Sequence, residues 1–206
     1  MIRLLLALFA FQAPAAEPGA GVNVERSKLR PSVVEISRRV LSYAAKKDYD
    51  RAEKAVKILE PLHKELDAVD ASTSMTPLLT TLKARDLVGL QRALNELVLA
   101  DTHHLFDHLT DPVKEKGLTP RTRILLAQRN MKYLQPSIPK DKRGKEVSLA
   151  LEKLFRLLSD TVPHSEGYGK ADKDWTTKAD SLAGKILQLL DATILNPIPK
   201  QKEVKA

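Results

Sequence analysis

Asp101, His104 and His108 follow one another at three- and four-residue intervals, so on a helix all three fall on one stripe. Two imidazoles and a carboxylate aimed at one centre are ligands for a divalent metal such as Zn²⁺ or Cu²⁺. On a helix running from Leu87 to Leu109 that stripe also carries Leu90, Leu94, Leu97 and Leu105, which turns the polar groups toward the core. An internal repeat with an offset of 38 residues puts His63 in register with Asp101, beside Val56, Leu59 and Leu66. A facing helix then supplies a fourth ligand. The same side chains also suit hydrogen bonds to backbone, or to Asp107 and Asp111, at the wet end of a helix whose dipole favours cationic histidine.

A second constellation is electrostatic. Ten basic residues and two acids lie between Lys114 and Lys145, a local charge of +8, and the whole chain also carries +8. With Arg3 set aside, the remainder sums to −1. On a helix opened by Thr119 and Pro120, Arg121, Arg129 and Lys132 fall on one side, with Ile124, Leu126, Ala127, Met131, Tyr133 and Leu134 broadly opposite. The following loop adds Lys140, Lys142, Arg143 and Lys145. These seven cations fit an anionic protein surface or membrane head groups, or stand as a solvated basic loop. Nucleic acid is not expected: only Tyr133 offers an aromatic face among the basic residues.

Other chemistry lacks sequence support. The chain has no cysteine, which excludes disulfides, thiolate metal sites and covalent c-type haem. It has no GxSxG, HExxH, phosphate-binding loop or dinucleotide fingerprint, so a non-enzymatic protein is expected.

The elements that must position these groups read as all-α: an up-and-down helical bundle built from helical hairpins, with no sheet. Lys47-Asp48-Tyr49 and Arg85-Asp86-Leu87 open two copies of the repeat, matching Ala55 to Ala93, Val56 to Leu94 and Leu59 to Leu97. A third, gapped copy starts at Lys173-Asp174-Trp175. In each, an aspartate N-cap followed by a large apolar residue marks the turn of a hairpin. Helices are expected from Pro31 to about Lys46, Thr119 to about Leu134, Lys145 to about Ser159 and Asp174 to about Leu195, with Gln135 to Gly144 as a loop.

The organisation along the chain is a signal peptide over 1–15, a flexible leader over 16–30, the helical domain over 31–195 and a disordered tail over 196–206. Arg3, the apolar run Leu4 to Phe11 and the Ala13-Pro14-Ala15 exit form the tripartite export pattern, which predicts an exported protein, periplasmic or secreted, with no transmembrane segment in the mature chain.

Two stretches carry resemblances. KDYDRAEKAVKILEPLHKEL (Lys47 to Leu66) and MKYLQPSIPKDKRGKEVSLALEKLFRLL (Met131 to Leu158) resemble the extrinsic Q-type subunit of photosystem II, a four-helix lumenal protein. That likeness implies docking to a membrane complex, with Lys140 to Lys145 as the docking element. KARDLVGLQRALNELVLADTHH is similar to the haem-binding helix of soluble four-helix cytochromes, with His103 or His104 near the ligand position. Leu99 and Thr102 stand where attachment cysteines would be, so this likeness implies a non-covalent haem with an axial partner such as Met75 or Met131.

Overall fold

The computed structural model describes residues 32–67, 75–107, 109–110, 118–163 and 174–195. The expected signal peptide, leader and tail all lie outside them. The described residues form eight α-helices and a short 3-10 turn, and no strand occurs among them. The helices are α1 (Val33–Ala45), α2 (Tyr49–Lys57), α3 (Glu60–Asp67), α4 (Met75–Lys83), α5 (Leu87–Asp107), α6 (Pro120–Leu134), α7 (Lys142–Thr161) and α8 (Trp175–Ile194), with the 3-10 turn at Gln135–Ser137. The all-α reading therefore holds.

Two hairpin turns with the same geometry join α1 to α2 and α4 to α5. Lys47 and Arg85 adopt left-handed backbone, at φ 62° and 55°. In the first turn, the N–H of Lys47 donates to the Ala44 carbonyl and that of Asp48 to the Tyr43 carbonyl, both at 2.9 Å. Arg85 and Asp86 donate likewise to Leu82 (3.1 Å) and Thr81 (2.9 Å). This is the paired closure of a Schellman helix end. Each turn passes directly into an aspartate cap. Asp48 Oδ1 accepts from Arg51 N at 3.2 Å, while Asp86 Oδ1 accepts from Val88 N at 3.1 Å and Gly89 N at 2.9 Å. The third copy differs: Asp174 occupies the N-cap of α8, yet its side chain does not bond the first-turn N–H groups.

Between α2 and α3 the stretch that carries Val56, Leu59, His63 and Leu66 is broken into two helices. Pro61 has no N–H to give the Lys57 carbonyl, so the chain tightens: Ile58 and Leu59 donate three residues back, to Ala55 (3.2 Å) and Val56 (2.9 Å). The α register resumes with His63 N to Leu59 O at 2.9 Å.

Helix α5 is the axis of the fold and packs on α1, α3, α4, α6 and α8. Its sequence explains the position, since Leu90, Leu94, Leu97, Val98, Leu99, Leu105 and Phe106 are apolar on more than one side and all are buried. Phe106 meets Phe155 of α7 with ring centroids 6.0 Å apart and planes tilted by 43°. No helix among the described residues is long and apolar enough to cross a membrane.

Candidate functional site

The basic segment is built on α6 and the start of α7. Thr119 caps α6 by accepting from Thr122 N at 3.2 Å, with Pro120 at the first helical position. Ile124, Ala127, Tyr133 and Leu134 are buried, whereas Arg129 and Lys132 are exposed and Arg121 is half-buried. Glu35 of α1 approaches Arg129 at 3.9 Å. Arg123 belongs to the other side: it is 1% exposed and its Nε donates to the Leu118 carbonyl at 3.4 Å. It therefore adds nothing to a docking surface, and of the ten cations in the segment, Lys114 and Lys116 lie outside the described residues.

The expected loop up to Gly144 is a correction. Helix α7 starts at Lys142, because Asp141 caps it by accepting from Gly144 N at 2.7 Å. Gly144 is buried against Pro139, and a Cβ there would overlap the Pro139 carbonyl oxygen. Lys142, Arg143 and Lys145 thus sit in the first turn of a helix, with no acid among the first-turn residues, and all three are exposed along with Lys140. A helix N-terminus carries partial positive charge and favours anions. Three cations there reinforce that charge, with the single Asp141 carboxylate engaged in capping.

The connection is anchored from beneath by a polar network. Gln91 Nε2 donates to Asn95 Oδ1 at 2.8 Å and to the Tyr133 hydroxyl at 3.2 Å, and Asn95 Nδ2 donates to Ser137 Oγ at 2.7 Å. These bonds tie α5 to the end of α6 and to the 3-10 turn. Burial pushes the Tyr133 phenol above its ordinary value, opposed by hydrogen bonds from Gln91 and Ser37 and by the charge of Arg38. Arg38, an exposed residue of α1, therefore joins the cations near this end of α6.

The histidine constellation is only partly assembled. Asp101 and His104 are both buried on α5, His63 is buried on α3, which packs on α5, and His108 lies outside the described residues. Asp101 Oδ2 accepts from Asn130 Nδ2 at 2.7 Å, and the same amide reaches Thr102 Oγ1 at 3.2 Å. No group of three His, Asp or Glu side chains that could hold a metal ion occurs among the described residues. Asp101 is instead part of a buried contact joining α5 to α6. Met75 and Met131, named as axial candidates, are partly buried residues of α4 and α6 packed on the core.

Sequence reasoning missed several polar contacts. Arg123 and Asn130 are seven residues apart, a spacing that places both on the inward face of α6, where the buried Asn130 meets Asp101. His103, which the cytochrome likeness puts near a haem-ligand position, has its Nε2 2.8 Å from Asp191 Oδ1 and links α5 to α8. No local signal reports that pair, which is 88 residues apart in the chain.

The fold and site define an all-α protein of helical hairpins around one central helix, with a basic helix start on its surface. A scan of protein-family models, a search of curated proteins and a search of solved structures each found no match to this chain.

Proposed function

We propose that this is an exported, non-enzymatic accessory protein that docks an anionic partner through Arg121, Arg129, Lys132, Lys140, Lys142, Arg143 and Lys145. The observation that supports it is the placement of cations at the start of α7: Lys142, Arg143 and Lys145 are exposed in the first turn of a helix. That arrangement opposes the helix dipole, so folding stability does not account for it. An anionic surface facing this turn meets the side-chain charges and the helix end together, and the attraction falls as salt shortens the Debye length from about 10 Å at 0.1 M to about 3 Å at 1 M.

The test is binding to soluble poly-glutamate by wild type and by the variant carrying Lys140→Glu, Lys142→Glu, Arg143→Glu and Lys145→Glu. Wild type is expected to bind at low salt and release at high salt, and the variant to lose binding at low salt with unchanged helical circular dichroism. Equal retention of the two proteins overturns the reading.

A further inference from the structure

We infer that the anionic partner is a lipid surface, and that the outward face of α7 lies on it with Leu149 inserted among the head groups. This rests on the docking reading above and extends it beyond residue 145. At about 3.6 residues per turn, Lys142, Lys145, Leu149, Lys153 and Arg156 fall within roughly a quarter of the helix circumference. That face points away from the protein, because Leu151, Phe155 and Leu158 on the opposite side are buried. All five stripe residues are exposed. The fifteen residues of helix from Lys142 to Arg156 span about 21 Å.

The leucine sets the chemistry. Leu149 is 66% exposed in the middle of the four cations, and Leu157 at the stripe's edge is 43% exposed. Glu146 and Glu152 border the stripe, and Asp160 closes its C-terminal end. Helix α6 repeats the motif, with Leu125 at 59% exposure flanked along its outer face by Arg121, Arg129 and Lys132. Protein interfaces deplete lysine and favour aromatic anchors, whereas this face offers three lysines and no aromatic residue. Lysine stems reaching head groups around a shallowly inserted leucine are the features of a helix lying in a membrane interface.

The experiment is co-sedimentation of the full chain with vesicles of phosphatidylcholine alone or with phosphatidylglycerol, beside the poly-glutamate assay. Wild type is expected to bind only the phosphatidylglycerol vesicles. Lys153→Glu with Arg156→Glu should weaken that binding about thirtyfold or more, and Leu149→Gln about tenfold. A second readout places a tryptophan reporter by Leu149→Trp with Trp175→Phe, whose emission should shift to the blue on phosphatidylglycerol vesicles alone. Poly-glutamate binding without vesicle binding overturns the lipid inference and leaves the docking reading standing, with an anionic protein as its partner. Vesicle binding with no blue shift and no effect of Leu149→Gln overturns the insertion of this face. Loss of both kinds of binding, in wild type as in the variants, overturns the docking reading itself.

Discussion

Reversing the charges at the start of α7 should make the protein more stable while abolishing the proposed docking. Lys142, Arg143 and Lys145 follow the Asp141 cap directly, so each lies within the turn where the dipole acts. Each reversal counts twice, once for the cation removed and once for the anion placed. At about 0.3 kcal/mol per charge, the low end that suits exposed side chains, the three substitutions approach about 2 kcal/mol. Repulsion between the new glutamates and Asp141 reduces the gain to about 1 kcal/mol. For a domain of this size that is a rise in Tm of about 2–4 °C. Thermal unfolding followed by circular dichroism at low salt measures it directly. The same scan in 1 M salt should show most of the difference gone, because screening acts on this effect and not on packing. A fall in Tm of similar size, or a gain that salt leaves intact, refutes the reasoning: the cations would then hold the fold together and their placement would need no partner.

Lys47→Gly should stabilise by about 0.5–1 kcal/mol, since relief of the left-handed strain outweighs the greater freedom of the unfolded chain. Arg85→Gly should be nearly neutral, because it also removes the guanidinium lying 5.1 Å from the Tyr49 ring centroid; equal gains from the two substitutions in urea titrations would show that the ring contact contributes nothing. For Tyr133, burial holds the phenol above its ordinary value, so stability attributable to it is intact below about pH 10 and is lost as the pH rises through the folded-state value. Tyr133→Phe should therefore lower the urea midpoint at neutral pH and flatten its decline at alkaline pH; parallel decline in both proteins would refute the assignment.

What the sequence made legible was local. An aspartate cap after a basic residue is a complete instruction within a few residues, and the structure repeats it at Lys47-Asp48 and Arg85-Asp86 with the same hydrogen bonds. The break at Pro61 was equally local but was hidden by the apolar series Val56, Leu59, Leu62 and Leu66, all buried and continuous across it. The start of α7 was obscured by composition, because a run of lysine and arginine beside proline reads as loop, although Asp141 and Gly144 supply the cap and the close approach to Pro139. The site suffered most where distant residues meet. Asn130 removes Asp101 Oδ2 from the set of uncommitted acceptors, and that fact exists only once α5 and α6 are side by side.

The central place of α5 also governs how the protein opens. A helix flanked by α1, α3, α4, α6 and α8 cannot expose its backbone by the loss of any one neighbour. The amides of its middle turns, from Leu94 to Thr102, are therefore expected to exchange with solvent only on unfolding of the whole domain, and those of the exposed first turn of α7 to exchange sooner. The proposed docking surface on α6 and α7 and the central helix α5 are thus separate elements. If the start of α7 docks as proposed, it can adjust to the surface it meets without opening the core to proteases.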